Sequence, residues 1–364
     1  MARAKAKKEL CIISLFEKFI ADSKSGRRLQ PNGSKVSAGT IRNYTFTLKV
    51  VKRFAESQKA TLRIRPLRHL NARDIEVERN YWKKFYKRFC DFLYKKCGYY
   101  DNYAGLTIKN VKVFFNHLNR ELALGIGDFH KNFYVPKETI QIFPLMPDEL
   151  HYLIYDRAFE KTLSRRMREV KDVFVFGCTV ALRVSDLLLL KKTNVKQIGS
   201  SYYLSVRSQK TCTDTMILLP DYAVSIIEKY ARSKGALLPA FNKSNLNNYI
   251  KRLLEQAGFT QEVSITRDKR GKAVRIHKAY NGAIKGARFC DVASTHTMRR
   301  TAITTMLCLG MPEQLVRKIS GHAPHTKEFY RYMLLAQVYQ DVEATKVFDR
   351  LKQKGKEVSY SPIL

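Results

Sequence analysis

His296-Thr297-Met298-Arg299, then Gly321-His322, then Phe329-Tyr330-Arg331-Tyr332 are the three phrases on which the reading of this chain turns. The first puts an imidazole and a guanidinium one helical turn apart, on one face. In the second, Gly321 closes a short helix, and the third offers two tyrosines. Upstream, Gly177-Cys178-Thr179-Val180-Ala181-Leu182-Arg183-Val184-Ser185-Asp186-Leu187 places Arg183 in a break between two apolar helical runs. Ser185 and Asp186 are suited to cap the second run. Between these phrases, Lys210 falls in the turn joining two apolar strands. Each phrase alone is weak. An arginine in a helix break is more often an ion-pair partner, and a His-x-x-Arg or Gly-His recurs by chance. The ordered set carries the weight.

Around these phrases the periodicity gives the elements. Tyr202 to Arg207 alternates apolar and polar residues, and with Thr215 to Leu219 it predicts a β-hairpin turning at Ser208 to Asp214. A second hairpin is expected over Val263 to Ile276, with a basic tip of Arg267, Lys269, Arg270 and Lys272 that either contacts phosphate or is a solvated turn. Helices are expected over 170–181, 222–233, 242–257, 294–309 and 312–319, and Leu335, Val338, Val342, Phe348 and Leu351 mark a tail helix. Periodicity fades from Gly125 to Pro147, where Gly127, Pro136 and Pro144 punctuate the chain.

Before that break the pattern is helical throughout. One face runs through Ile12, Ile13, Phe16, Phe19 and Ile20. Ser37 caps a second helix bearing Ile41, Tyr44, Leu48, Val51 and Phe54. A third spans Val77 to Lys96 and a fourth Thr107 to Leu124, with the segment from Ser23 to Ala38 read as an exposed loop. In the third helix Tyr81, Phe85, Phe89 and Phe92 form an aromatic stripe read as core, with Lys83, Lys84, Lys87 and Arg88 facing outward toward phosphate. The expected fold is mainly α with small β-hairpins. It divides into a helical domain over 1–130, a linker over 131–147, and a mixed α/β domain with a tail helix over 148–364.

The 364 residues carry 67 Lys and Arg against 32 Asp and Glu, a net charge of +35. That excess repels itself unless a polyanion neutralises it, which points to nucleic acid, although charge alone fits a ribosome-associated protein as well. Seven scattered cysteines with no Cys-x-x-Cys pair read as reduced core residues of a cytosolic protein. No apolar run is long enough for a membrane span, and the basic N-terminus has no cleavage-like site, so no membrane association is expected.

The ordered set Arg183, Lys210, His296-x-x-Arg299, Gly321-His322 and a late tyrosine resembles the tyrosine recombinase, or phage integrase, family over roughly Leu145 to Leu351. The phrase from His296 through His322 looks closest to integrases of bacterial mobile elements. The N-terminal helices look like that family's DNA-clamping domain, though without a distinctive motif. The resemblance implies site-specific DNA recombination (integration, excision or inversion) through a 3′-phosphotyrosine. Arg183 and Arg299 would grip the phosphate, His296 and His322 would donate hydrogen bonds or move protons, and Lys210 would protonate the leaving 5′-hydroxyl. The family's usual spacing from the Gly-His histidine falls between Tyr330 and Tyr332. Tyr332 is preferred because Phe329-x-x-Tyr332 resembles a frequent family ending, and Tyr330 is the alternate nucleophile. No metal, cofactor or ATP is implied, since arginines supply the charge. The implied partners are double-stranded DNA, a homo-tetramer on paired sites and accessory DNA-bending proteins, in a bacterial cytoplasm. The competing readings are a type IB topoisomerase and a catalytically idle DNA-binding accessory protein.

Overall fold

The computed structural model describes residues 9–208, 213–232, 235–280, 283–323 and 326–357, and these fall into two units. The first comprises the chain up to Ile140 together with the segment Thr266–Ile276. The second comprises Gln141–Ile265 and the chain from His277 onward.

The first unit is built on α1 (Ile12–Ser25), α2 (Ala38–Gln58), α3 (Ala72–Asp91) and α4 (Asp101–Arg120). A short antiparallel pair, β1 (Leu10–Cys11) and β2 (Arg63–Ile64), ties the start of α1 to the chain after α2. Ser37 caps α2 as expected, its hydroxyl accepting from the Thr40 amide at 3.2 Å. Two helices start earlier than periodicity indicates. Asn71 caps α3 through the Asp74 amide, and α4 begins at Asp101 in a stretch with little apolar patterning. α3 runs on through a π-helical turn, Phe92–Lys96, before Gly98 breaks it at φ 68°. The aromatic stripe is core: Phe85, Phe89, Phe92 and Trp82 are buried, while Lys83, Lys84, Lys87 and Arg88 are exposed. Phe16 stacks on Phe114 at 4.3 Å, and edge-on contacts link Phe54 to Phe85, Phe89 and Phe92.

The second expected hairpin exists, but it is shorter and its tip is engaged differently. Its strands are Ile265–Lys269 and Lys272–Ile276, turning through Arg270 and Gly271, both at positive φ as a two-residue hairpin turn requires. Val263 belongs instead to a separate pairing, Glu262–Val263 with Ala287–Arg288. Of the basic tip, Arg267 and Arg270 are paired with carboxylates of the first unit, Arg267 half-buried against Glu138 and Arg270 exposed beside Asp91. Segment 266–276 thus packs with the helical unit, although its sequence neighbours lie in the other.

The second unit contains α5 (Pro147–Tyr155), α6 (Arg157–Thr162), α7 (Arg165–Val180), α8 (Val184–Leu187), α9 (Asp221–Lys229), α10 (Lys243–Gln256), α11 (Phe289–Val292), α12 (Thr295–Cys308), α13 (Glu313–Ser320) and α14 (Tyr330–Glu357). Neither α5 nor α6 is evident from periodicity. α5 starts on Pro147 with the Glu149 carboxylate accepting from the Met146 amide at 2.8 Å, and Asp156 caps α6. The first hairpin is a three-stranded antiparallel sheet, β3 (Val195–Ile198), β4 (Ser201–Arg207) and β5 (Asp214–Leu219), with Leu204 opposite both Val195 and Ile217. β3 escapes the sequence pattern because its outward residues dominate, and Ile198 is exposed.

α12 is the central helix. It packs on α7, α10, α13 and α14. Gly177 permits the close approach of α7: a Cβ there would lie 2.5 Å from Met298 Sδ and 3.1 Å from Met298 Cβ. No helix among the described residues is long and apolar enough to cross a membrane. Of the six described cysteines, Cys178, Cys290 and Cys308 are buried and Cys11, Cys90 and Cys97 half-buried, and none is in a disulfide with another described cysteine. Cys212 lies outside the described residues.

Candidate active site

Four segments of the second unit deliver the residues that the sequence singles out. The first is the break between α7 and α8. α7 ends at Val180, Ala181 turns into the left-handed region at φ 54°, and Arg183 precedes α8 in extended geometry. Ser185 and Asp186 do not cap α8. They lie inside its single turn, and the buried Asp186 accepts from Ser208 Oγ at 3.3 Å. Arg183 in turn donates to Ser208 Oγ at 3.1 Å, so the hydroxyl at the end of β4 orients the guanidinium. Lys210, two residues further, lies outside the described residues.

The second segment is α12, whose N-terminus is capped by Ser294. His296 sits exposed on the first turn, and Arg299 is half-buried one turn later. The Arg299 guanidinium donates to Ala181 O at 2.8 Å and to Ser320 O, so it joins the ends of α7 and α13. Helix C-termini carry partial negative charge, which makes both carbonyls favourable partners for a cation. Burial, then the repulsion of Arg183, holds the Arg299 pKa down to about 10, which leaves it charged at neutral pH.

The third segment is the end of α13. Gly321 takes φ 61°, and the His322 amide returns to Arg317 O at 3.0 Å, a Schellman-type closure. This aims the ring at Arg299, with Nδ1 3.3 Å from Arg299 Nη2 and 2.8 Å from Ser320 Oγ. A guanidinium only donates, so Nδ1 accepts and the proton of the neutral ring sits on Nε2. Burial, reinforced by Arg299, Arg183 and Arg317, holds the His322 pKa down to about 4, so the ring is neutral at physiological pH. The His296 pKa is also lowered, by desolvation and then by Arg300, Lys243 and Arg299.

The fourth segment is the start of α14, and it separates the two tyrosines. Tyr332 is 9% exposed and packs with Phe329, Ala302, Ile303 and Ala336. Tyr330 is 53% exposed. The Tyr332 ring centroid is 6.2 Å from His322 and 5.8 Å from Phe329, which itself carries the Arg317 guanidinium at 4.0 Å. Arg300 lies within electrostatic reach of Tyr332. Its own pKa is lowered by burial against the opposing pull of that tyrosine.

Arg183, Arg299, His322 and Tyr332 are thus brought together. His296 lies within electrostatic reach on the rim. Three residues escape the sequence reading. Arg300 is signalled only by the Arg299-Arg300 doublet, Ser208 by adjacency to the Lys210 turn, and Ser320 by preceding Gly321-His322. The arrangement is a concentrated positive centre with one phenol beside it, suited to gripping a phosphate while a hydroxyl attacks it.

No protein-family model matches the chain, and no curated protein matches it in sequence. Its fold, however, is found among solved structures. A lambda integrase dimer bound to a COC′ core site aligns at TM-score 0.58 and 13% identity, over 98% of this chain and 82% of that one. The XerH site-specific recombinase, in a pre-cleavage complex with its difH substrate, aligns at 0.54 and 14%, over 89% and 81%. The Tn1549 transposon integrase, residues 82–397, in complex with circular intermediate DNA, aligns at 0.54 and 13%, over 89% and 95%. The chain therefore has the tyrosine recombinase fold, a helical domain and an α/β domain, as the sequence resemblance implies.

Proposed function

From that shared fold and the residues gathered in the second unit, we propose that the protein is a site-specific DNA recombinase that breaks and rejoins duplex DNA through Tyr332. The observation that carries this is the convergence of Arg183, Arg299 and His322 on the Tyr332 side of α14, from segments up to 149 residues apart.

In this reading the two guanidinium groups hold the non-bridging oxygens of one phosphate and offset the negative charge that builds as the phosphorus is attacked. His322, neutral with its proton on Nε2, donates a further hydrogen bond. His296 supplies another from the rim or handles a proton. The Tyr332 hydroxyl gives its proton to His296 or to solvent as its oxygen bonds to phosphorus, and the bond to the 5′ oxygen breaks. Lys210 gives a proton to that leaving oxygen. Rejoining reverses the step: a 5′-hydroxyl from a partner strand attacks the phosphotyrosine and frees Tyr332. One ester replaces another, so the exchange needs neither ATP nor metal.

Exchange of strands between two sites calls for four protomers. The tail offers a surface for their contact, because Val338, Val342 and Phe348 on α14 are exposed. Duplex DNA is the partner that the +35 charge fits.

The test is covalent trapping on a nicked suicide duplex with EDTA present. A protein–DNA adduct that survives denaturation is the expected result. An idle DNA-binding relative would bind without any adduct, and dependence of the adduct on added Mg²⁺ would replace this mechanism with a metal-assisted one.

A further inference from the structure

The two units are joined by three chain crossings, at 140–141, 265–266 and 276–277. The last two bracket the hairpin 266–276, which packs within the first unit while the chain on both of its sides belongs to the second. Its tip sits in a built socket. Asp101, buried at the start of α4, accepts the backbone N–H of Arg270 at 2.7 Å, that of Gly271 at 2.9 Å and the Tyr94 hydroxyl at 2.7 Å. Glu138, also buried, accepts from Arg267 through Nε at 3.0 Å and Nη2 at 2.7 Å, and from the Asp268 amide at 2.7 Å. Asn102 fixes Glu138 from behind, exchanging hydrogen bonds with its backbone and carboxylate. Arg270 pairs with Asp91 and lies over the Tyr94 ring at 5.0 Å. Arg267 lies over Tyr100 at 4.9 Å.

This is recognition of a turn, not a generic charge contact. Two of the bonds go to the amides of Arg270 and Gly271, whose direction the positive-φ turn provides, a third goes to the Asp268 amide in the strand before it, and Arg267 is held by the fork of its guanidinium. Little apolar surface is involved: Ala273 and Val274 of the returning strand are exposed. The hairpin is therefore held mainly by two buried carboxylates, Asp101 and Glu138, with Asp91 pairing at the surface, and not by a core. Buried carboxylates are costly without partners, so a partly seated tip is unfavourable and the tip is either fully in or fully out.

We infer that segment 266–276 is a detachable clasp, which when seated anchors residues 141–265 to the first unit at both ends and so sets how long the protein stays on duplex DNA. The inference rests on the DNA-binding reading above. With the tip out, the units are tethered at one crossing only, and the duplex leaves without unfolding either of them. In the seated state Arg267 is paired with the buried Glu138, and Arg270 with Asp91 at the surface.

The deciding variant is Asp101→Asn with Glu138→Gln in the full chain, which keeps side-chain shape and removes two negative charges. Electrostatics alone would make such a protein hold DNA longer. Loss of the clasp works in the opposite direction, and dissociation of a labelled duplex into excess competitor is expected to be about tenfold faster, given the charge-assisted bonds lost. Amide exchange at Asp268, Arg270 and Gly271 should accelerate while α1, α2 and the core of α4 stay protected. Faster hairpin exchange with unchanged or slower dissociation overturns the inference. If the helices also lose protection, the single Glu138→Gln, which leaves every Asp101 bond in place, carries the test: dissociation several times faster supports the clasp, and no change overturns it. Absence of duplex binding by the parent protein would instead remove the DNA reading itself, and the clasp with it.

Discussion

Two tyrosines separated by one residue illustrate how much a single side chain's surroundings decide. On one helix they point about 200° apart, and only Tyr332 faces His322 and Arg300, while Tyr330 faces solvent. A phenol with a solution pKa of about 10 is a poor nucleophile at neutral pH unless cations stabilise its anion, and the cations stand beside Tyr332. Tyr332→Phe is therefore expected to bind duplex normally and form no adduct, whereas Tyr330→Phe retains adduct formation. Mass spectrometry of a digested adduct checks the assignment, and a nucleotide found on Tyr330 would reverse it. Arg183 offers a cleaner probe of the chemistry than Arg299, because Arg299 also joins two helix ends. Arg183→Ala is expected to lower the single-turnover cleavage rate by about 10²- to 10³-fold with duplex affinity nearly unchanged. Equal losses of both would make Arg183 structural.

At the scale of elements, the site depends on how closely α7 and α12 approach, since these two carry the Arg183 break and Arg299. Gly177 sets that distance, with Met298 and Leu187 pressing on the place a side chain would fill. Gly177→Val is expected to cost about 1–3 kcal/mol of stability through overpacking and to reduce cleavage by displacing Arg299, both readable from thermal melts and trapping assays. Buried histidines add a pH dependence to both units. His130 is buried, donates from Nε2 to Asn116 Oδ1 at 2.7 Å, and has its pKa pushed down to about 4 by burial. His322 is shifted to a similar value. In each case the unfolded chain binds the proton more tightly than the folded one. The stabilisation is fully present above pH 6.5, the ordinary histidine value, and is lost as pH falls toward 4, with His130 accounting for about 3 kcal/mol. The expected result is an apparent melting temperature that falls between pH 6.5 and 4, less steeply in His130→Gln once its lower starting stability is allowed for.

For the whole molecule, the dominant quantity is the net charge of +35. Neutralising phosphates releases condensed counterions, so the logarithm of duplex affinity should fall linearly with the logarithm of salt concentration, by roughly 0.9 per phosphate contacted. If the protein binds duplex DNA as proposed, the exposed Lys83, Lys84, Lys87 and Arg88 on α3 are expected to belong to that count, whereas Arg267 and Arg270 are already paired with Glu138 and Asp91. Reversing the four α3 charges should flatten the slope by several units, while neutralising Arg267 should leave it nearly unchanged. A titration at several salt concentrations distinguishes these outcomes. A salt-independent affinity would sever the link between charge and DNA.

The sequence by itself determined whatever is written in neighbouring residues. Ser37 caps α2, Gly321 ends α13, the aromatic stripe of α3 turns inward, and the order from Arg183 to Tyr332 points to one fold, because caps, turns and helical faces rest on contacts within about one turn of chain. Only the tertiary structure decided what the distant partners are. Asp101 and Arg270 stand 169 positions apart and Arg299 and Ala181 stand 118 apart, so no local pattern announces either pair. The same reason separates Tyr332 from Tyr330, which share their local sequence and differ in what α12 and α13 place against them. Short elements such as α5, α6 and β3 stayed unread for a related cause: each is only one or two periods long, too short for its pattern to stand out, and packing of the second unit supplies what their own patterns lack.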